Sequence, residues 1–264
     1  MNNKKIIALT SVLLLTSCAT EDLTIKEVVK IDSGAIKGSH NAELKQYLGI
    51  PYAEPPIDNL RWAPTSPVKS WEGVKSVKSN SKICYQPKQM AEFYDRGPNI
   101  NDMSEDCLTL NVWTRADKQD EKLPVMVWFH GGALVWGSGS EYSGKELTKQ
   151  GVILVTVNYR LGPFGFFSHP ELSEETGTSG NQGFKDQILS LKWVQENIDK
   201  FGGDPDNVTI FGESAGSWSV NVLQASPLSR GLFHKVIGQS GARLIPLTHL
   251  NQSAPYSDSA EQLG

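Results

Sequence analysis

The strongest constraint on the fold of this chain is a series of strand-length apolar runs in its second half. "LTLNVW" starts at residue 108, "PVMVWF" at residue 124 and "VILVTVNY" at residue 152, and turn-forming residues bound each run. Runs of this kind are typical of strands that are buried on both faces of a sheet. The sequence therefore predicts a central sheet that is covered on both sides.

A helix and a further strand follow these runs. "FKDQILSLKWVQENIDKF" (184–201) predicts a helix, because its large apolar residues are three or four positions apart and share one face: Phe184, Ile188, Leu191, Val194, Ile198 and Phe201. "DNVTIFG" (206–212) is predicted to be a strand, and "SAGSWSVNVLQ" (214–224) a helix. This order indicates an α/β fold with a mostly parallel sheet and helices on both faces.

The N-terminal part of the chain has a different pattern. "IKEVVKID" and "AIKGS" flank Ser33-Gly34 and predict an antiparallel hairpin. No internal repeat, low-complexity tract or linker divides residues 18–264, so we expect one domain or part of one.

The first residues are typical of an export signal. Lys4 and Lys5 precede an apolar segment of ten residues, Ile6 to Leu15, which is too short for a bilayer core that needs about 20. Residues 1–17 are therefore predicted to be a lipoprotein signal peptide, because "LTSC" resembles a bacterial lipobox. A lipid on Cys18 would anchor the protein in the cell envelope. The alternative is a plain secretory signal cleaved after Ala19, with a periplasmic or secreted product.

Charge and cysteine content indicate which partners and ligands to expect. A net charge of −4, with Lys and Arg scattered singly, indicates no basic surface for nucleic acid, and we do not expect nucleic acid as a partner. In an exported chain, the pair Cys84 and Cys107 is more often a disulfide than a metal site. Two free buried thiols are the alternative. No His or Cys lies at zinc-like spacing from either cysteine, and we predict neither a metal nor a cofactor.

Ser214 is the candidate nucleophile. "GESAG" (212–216) fits G-x-S-x-G, and it lies between a predicted strand and a predicted helix, the setting that gives this short motif its meaning. Glycines two before and two after the serine avoid a collision across the tight turn. The amide of Ala215, at the helix N-terminus, is expected to face a developing oxyanion. An ordinary glycine-flanked turn is the alternative.

A second glycine-rich turn follows the strand "PVMVWF". "FHGGALVWGSG" (129–139) is of the kind that donates further backbone N–H groups to an oxyanion, here from Gly132 and Ala133. His130 belongs to this loop and is not the catalytic base. Because the two elements occur together and in the right order, a purely structural role for both is improbable.

Several segments together resemble the type-B carboxylesterase family of α/β-hydrolases. They are "EDCLTLNVWTR" (105–115), "HGGA" (130–133), "NYRLGPFGFF" (158–167), "GNQGFKDQ" (180–187) and "FGGDPDNVTIFGESAG" (201–216). The resemblance implies an α/β-hydrolase fold and hydrolysis of a small-molecule carboxylic ester through an acyl-enzyme. It implies that Ser214 is the nucleophile and that Gly132, Ala133 and Ala215 form the oxyanion hole.

The resemblance also assigns structural residues. It pairs Cys84 with Cys107, Arg61 with Glu105, and Arg160 with Asp186. It places Ser240 near Glu213 and near the site of the catalytic imidazole. For Ser240, the alternative is an ordinary polar residue at the end of a strand.

A serine hydroxyl needs an imidazole to accept its proton and a carboxylate to orient that imidazole. In α/β-hydrolases both follow the serine, in the order Ser, Asp/Glu, His. Only His234 and His249 follow Ser214, and no acidic residue lies between Ser214 and either of them. We therefore expect residues 18–264 to be the N-terminal part of one α/β-hydrolase domain, truncated at its C-terminus and inactive alone. The alternative function is a non-catalytic binding or adhesion protein on the same fold.

Overall fold

The computed structural model of the chain describes residues 22–88, 102–241 and 258–263. Its strands, in chain order, are β1 (Val28–Ile31), β2 (Gly34–Lys37), β3 (Ser39–His40), β4 (Lys45–Pro51), β5 (Val74–Ser76), β6 (Ile83–Cys84), β7 (Met103–Ser104), β8 (Thr109–Thr114), β9 (Leu123–Phe129), β10 (Ile153–Val157), β11 (Gly203–Glu213) and β12 (Lys235–Gln239). Its α-helices are α1 (Gly162–Phe166), α2 (Pro170–Thr176), α3 (Gln182–Asn197), α4 (Ala215–Ala225) and α5 (Ala260–Leu263). None of the helices in these ranges is long and apolar enough to cross a membrane. The predicted signal peptide and Cys18 lie outside the described residues.

The main sheet has seven strands in the order β12-β11-β9-β10-β8-β4-β3. β12, β11, β9 and β10 run parallel, whereas β8, β4 and β3 continue the sheet by antiparallel pairing. The α/β architecture is as predicted, but the sheet is mixed, and its parallel part is limited to these four strands. The apolar runs could not indicate direction, because every residue of β8 is buried although its neighbours run antiparallel to it.

The parallel strands bring the ends of several segments to one edge of the sheet. Gly212 pairs with Phe129 where β11 and β9 end, and Glu213 pairs with Gln239 where β11 and β12 end. The loop after β9 therefore lies beside the turn that contains Ser214. In open α/β sheets, ligands bind outside the carboxyl ends of the strands, which is this edge.

The predicted N-terminal hairpin is confirmed, and it lies outside the main sheet. β1 and β2 pair antiparallel, with Ile31 opposite Gly34, and β5 adds to β2 in parallel. These strands form a small separate sheet. Val29, Ile31 and Ile36 bury their side chains in the larger core of the protein.

The larger core lies on one face of the main sheet, where the two longer helices pack. Val127 and Phe129 of β9 meet Leu191 of α3 and Val220 of α4 in this core. The predicted apolar face of α3 and the turn after it is buried except for Phe184, which is partly exposed. Burial of this face, rather than helix propensity alone, stabilises the helix.

The other face of the sheet carries a smaller core. Trp128 of β9 and Leu154 of β10 are buried there, next to Tyr142. Two 3₁₀ turns, Gly139–Glu141 and Leu147–Gln150, lie in the segment that covers this face. The sequence predicts helices on both faces of the sheet. Within the described ranges, this face is covered by these 3₁₀ turns instead.

Two ion pairs expected from the resemblance are present. Arg61 donates to Glu105 through two nitrogens, each 2.6 Å from a carboxylate oxygen. Arg160 donates to Asp186 from Nε at 2.9 Å and from an Nη at 2.7 Å, and both side chains are buried. The Arg160–Asp186 pair joins the segment that follows β10 to helix α3. A buried charge of this kind depends on its partner, because a charge left alone inside the protein is strongly destabilising.

Cys84 and Cys107 are joined by a disulfide in the structure. Both are buried in the larger core, and the residues before Cys107 include β7, which pairs with β6. The bridge therefore fixes the end of β6 against the body of the protein. Its formation in the exported protein stays a prediction from the oxidising compartment.

We expect Asp186→Asn to lower the free energy of unfolding by about 3–5 kcal/mol, because it leaves the buried Arg160 guanidinium without a counter-charge. Glu146→Gln is the matched control, since Glu146 pairs with Lys149 on the surface. Exposed pairs contribute little, so the control should unfold like the wild type. Urea unfolding of both variants measures the difference, and equal losses would contradict the assignment of Arg160–Asp186 as a stabilising buried pair.

Candidate active site

Ser214 occupies the sharp turn between β11 and α4. Its φ is 54° and its ψ is −117°, a combination that L-residues with a Cβ rarely adopt and that costs about 1–3 kcal/mol. The surrounding backbone holds it there: the Ser214 N–H donates to the Gln239 carbonyl at 2.9 Å, and the Ser214 carbonyl accepts from the Trp218 N–H at 3.1 Å. Ser214 remains partly exposed.

Glycines on either side of Ser214 make the turn possible. A Cβ on Gly212 would lie 2.5 Å from the carbonyl of Gly216 and 2.7 Å from the carbonyl oxygen of Phe129. A Cβ on Gly216 would lie 1.9 Å from that same Phe129 oxygen. Neither collision involves a flexible side chain that could move away. The turn, the first residues of α4 and the end of β9 are therefore in direct backbone contact.

The glycine-rich loop after β9 lies directly against Ser214. A Cβ built on Gly131 would be 3.3 Å from the Ser214 Cβ. Gly132, Ala133 and Leu134 follow with φ values of 100°, 56° and 63°, and the Gly132 carbonyl accepts from the N–H groups of Val135 and Trp136. The chain thus turns sharply back beside the serine hydroxyl. Gly132 is buried and Ala133 is exposed.

Three backbone N–H groups near Ser214 are unused within the structure. Gly132, Ala133 and Ala215 donate to no backbone or side-chain acceptor among the described residues. Ala215 is the first residue of α4, where helix N–H groups lack internal partners and the helix dipole favours negative charge. This arrangement can stabilise an oxyanion that forms on a carbonyl group bound at Ser214.

His130 is held by the loop and is buried. Its Nδ1 donates to the Gly131 carbonyl at 2.8 Å, its ring stacks on Tyr159 with centroids 4.4 Å apart, and its own carbonyl accepts from the Tyr159 hydroxyl. Burial lowers the pKa of His130 to about 4. The imidazole is therefore neutral near pH 7, and its Nδ1 is engaged in supporting the loop.

Other imidazoles of the described residues are remote or otherwise engaged. The backbone N–H of His234 donates to the Val208 carbonyl, and its ring Nδ1 accepts from the Val208 N–H. Since Val208 precedes Ser214 by six residues along β11, a rise of about 3.3 Å per residue puts His234 roughly 20 Å away. His40 lies on β3, at the far edge of the sheet, and His169 accepts from the Glu171 N–H at the start of α2. His249 lies outside the described residues.

Glu213 and Ser240 flank the turn. A Cβ on Gly131 would come within 3.0 Å of Glu213 Oε2, which places this carboxylate against the loop, and Glu213 is otherwise exposed. Ser240 follows β12, is exposed and has a φ of 55°. No hydrogen bond joins Ser240 to Glu213 in the part of the chain that the structure describes. The structure thus places both residues at the site edge without linking them.

Two further ionisable groups, which the sequence does not indicate, lie behind the turn. Burial raises the pKa of Glu141 to about 7. Burial, followed by the carboxylates of Glu141 and Glu213, raises the pKa of Tyr142 to about 12. Both residues lie in the segment that covers the smaller core, and their burial depends on tertiary packing. Across the described ranges, no group of three or more His, Cys, Asp or Glu side chains is arranged to hold a metal ion.

Comparison with known proteins gives consistent matches. A family model described as "Carboxylesterase family" matches residues 25–264. The chain is 42% identical over 232 residues to fumonisin B1 esterase of Sphingopyxis macrogoltabida and 46% identical over 220 residues to para-nitrobenzyl esterase of Bacillus subtilis, covering 86% and 82% of this chain. It spans 42% and 44% of the length of these two relatives. A solved structure of a PNB esterase superposes with a TM-score of 0.75 at 44% identity, over 82% of this chain and 44% of that chain. The likeness confirms the predicted α/β-hydrolase fold.

We expect Gly216→Ala to destabilise the protein by about 3 kcal/mol or more, because the new methyl group would meet backbone that cannot move aside. Gly231→Ala is the matched control: its φ is 81°, but no atom lies within 4 Å of the added carbon. Gly231→Ala should lower the free energy of unfolding by only about 1–2 kcal/mol, the strain of a left-handed residue with a Cβ. Urea unfolding of the two variants tests this, and similar losses would show that the close contact between Gly216 and Phe129 does not limit the turn.

Proposed function

This chain belongs to the carboxylesterase family, and on that premise we propose that Ser214 is the nucleophile of a serine carboxylesterase. The observation that carries the proposal is the turn itself. Ser214 adopts a strained φ of 54° at the strand-to-helix junction, and a Cβ on Gly131 of the glycine-rich loop would lie 3.3 Å from its Cβ. This closeness supports a role for the loop in stabilising the tetrahedral intermediate that Ser214 would form.

The proposed reaction is two-step acyl transfer. Ser214 Oγ bonds to the carbonyl carbon of the ester while a base takes the hydroxyl proton, and the carbonyl oxygen becomes an oxyanion. The N–H groups of Gly132, Ala133 and Ala215 donate to that oxygen. The carbon–oxygen bond to the alcohol then breaks, the alcohol leaves with the proton from the base, and the acyl group stays on Ser214. Water attacks the acyl-enzyme in the same way and releases the carboxylic acid.

The oxyanion donors carry a large share of the proposed catalysis. Loss of one such donor costs about 2.7–4 kcal/mol of transition-state stabilisation in other serine hydrolases. The donors here are backbone groups of two rigid elements, a reverse turn and the start of α4. They do not need to reorganise when charge develops, which is the condition under which such donors are most effective.

The base and its orienting carboxylate are assigned to residues that follow Gly264 in a longer polypeptide. Two observations support this assignment. None of the described imidazoles hydrogen-bonds to Ser214, and the chain spans 42–44% of the length of its esterase relatives. In α/β-hydrolases the acid and the histidine follow the serine in that order. Residues 18–264 are on this proposal the N-terminal part of one catalytic domain.

The substrate proposed is a small-molecule carboxylic ester. The relatives are named for esterase activity, and the atoms at Ser214 are those needed to polarise and attack an ester carbonyl. No cofactor is needed, because acyl transfer to a serine proceeds with an imidazole base and hydrogen-bond donors alone.

Ser214→Ala tests the nucleophile. In the complete polypeptide that contains this sequence, the substitution should lower the hydrolysis of p-nitrophenyl acetate by on the order of 10⁴-fold or more, since no other group replaces Oγ. Ser143→Ala, on an exposed serine of the segment over the smaller core, should leave the rate unchanged. Full activity of Ser214→Ala would reject the nucleophile.

The 264-residue chain tested alone separates the two parts of this proposal. It should hydrolyse the same ester no faster than its own Ser214→Ala variant, because the base is absent. Robust turnover that depends on Ser214 in this chain would overturn the assignment of the base to later residues and leave the nucleophile in place.

We also propose that the protein is an exported lipoprotein anchored through Cys18. The support is the sequence alone: an apolar segment of residues 6–15 followed by "LTSC". Several acyl chains would anchor the protein firmly, whereas a single chain would not. A catalytic domain held in this way would act on esters that reach the cell envelope.

Cys18→Ala tests the anchor. The wild type should partition into the detergent phase with the membrane fraction, and the variant should be released or fail to mature, because the acylated thiol is missing. Mass spectrometry of the mature N-terminus serves as the second measurement. An unmodified N-terminus with unchanged partitioning would favour the plain secretory signal cleaved after Ala19.

A further inference from the structure

The side chain of Gln86 clamps one residue of the loop beside Ser214. Its Oε1 accepts from the Gly137 N–H at 2.8 Å, and its Nε2 donates to the Gly137 carbonyl at 3.1 Å. The same Nε2 donates to the carbonyl of Cys84 at 3.1 Å. One amide group thus pairs with both polar groups of a single backbone residue, as a neighbouring strand would.

The base of this clamp is fixed in the core. Gln86 follows Cys84 by two residues, and Cys84 is buried, paired through β6 with β7 and bonded to Cys107. Gln86 itself is half-buried. It connects the disulfide-linked segment to the loop across 51 positions of sequence.

Gly137 leads directly to the residues beside Ser214. Its φ is 110°, and a Cβ on it would lie 2.4 Å from His130 Nδ1 and 2.9 Å from the Gly131 carbonyl oxygen. That Nδ1 is the atom that donates to the Gly131 carbonyl. Displacing Gly137 would therefore move His130 and Gly131, and Gly131 is packed on Ser214.

The loop between Gly131 and Gly137 needs support from outside. Ala133 and Leu134 have φ values of 56° and 63°, and such left-handed conformations cost residues with a Cβ about 1–2 kcal/mol each. Outside the loop, the Leu134 carbonyl accepts from the Gly162 N–H at 2.7 Å, and Gln86 holds Gly137. The strained turn is thus held at its middle and at its end.

We propose that Gln86 is a positioning residue for the oxyanion hole, which it sets by fixing Gly137. The proposal rests on the proposed function, because it assigns the loop that Gln86 holds to oxyanion stabilisation. Gln86 does not touch the reacting atoms. It acts through Gly137, His130 and Gly131 on the direction of the Gly132 and Ala133 N–H groups.

Gln86→Met in the complete polypeptide removes all three hydrogen bonds and nearly keeps the side-chain volume. A misplacement of about 1 Å can cost on the order of 10²-fold in rate, so we expect kcat on p-nitrophenyl acetate to fall by about 10–100-fold. KM should change by less than about threefold, because the hole binds the transition state more tightly than the substrate. Affinity for a trifluoromethyl ketone, whose tetrahedral adduct places an oxyanion in the hole, should fall in parallel with kcat.

Gln195→Met is the matched control. Gln195 is also half-buried and also donates to two carbonyls, those of Pro205 at 2.8 Å and Leu232 at 3.1 Å, near the opposite end of β11. It should lose stability to a similar degree with kcat unchanged. Gln86→Glu keeps the acceptor for the Gly137 N–H but sets a carboxylate oxygen against the Gly137 and Cys84 carbonyls. It should lower kcat to a similar degree, and it replaces Gln86→Met if that variant does not fold.

Hydrogen exchange of the Val135, Trp136 and Gly137 amides, which donate hydrogen bonds in the structure, gives a readout that does not need activity. In Gln86→Met and in Gln86→Glu, these amides should exchange at least tenfold faster than in the wild type and in Gln195→Met. Unchanged exchange, or unchanged kcat in an active enzyme, would overturn the positioning role. If the wild type shows no hydrolysis that depends on Ser214, the proposed function fails, while the exchange rates still decide whether Gln86 holds the loop.

Discussion

The contact between Gly216 and the carbonyl of Phe129 is the constraint on which the site depends. A Cβ on Gly216 would lie 1.9 Å from that oxygen. Because glycine has no Cβ, the first turn of α4 can lie directly on the end of β9. The same approach puts the loop that leaves β9 against the Ser214 side chain, because Gly131 follows Phe129 by two residues. A wider turn would separate the Ser214 side chain from the glycine-rich loop. Close packing of bare backbone thus sets the distance between Ser214 and the glycine-rich loop.

The ionisable side chains around the turn differ in burial. His130 lies under the loop in neutral form, since burial lowers its pKa to about 4. Behind the turn, burial raises the pKa of Glu141 to about 7. The Glu141 carboxyl group is therefore protonated in a large fraction of the molecules near neutral pH. Glu213 is exposed to solvent next to Ser214. His130 thus supports the glycine-rich loop without adding a positive charge next to Ser214.

Sequence patterns predicted the elements that depend mainly on residues close together in the chain. The face of α3 follows from spacing, the turn at Ser214 from its two glycines, and the hairpin from Ser33-Gly34. Strand direction could not be predicted, because β8 is buried on both faces whether its neighbours run parallel or antiparallel. The links through Gln86 and the burial of Glu141 are tertiary, and a single residue in a loop carries no periodic signal. The family resemblance supplied the ion pairs of Arg61 and Arg160, which spacing alone would not.

The hydrogen bond from Ser214 to Gln239 has a consequence for the timing of synthesis. Its acceptor belongs to a strand that leaves the ribosome after α4 and the turn beyond it. A nascent chain that has not yet reached β12 therefore carries the serine without the bond that holds its strained backbone. The turn gains this hydrogen bond only once β12 has docked beside β11. The support of its strained backbone is in this way deferred until the neighbouring part of the sheet has been made.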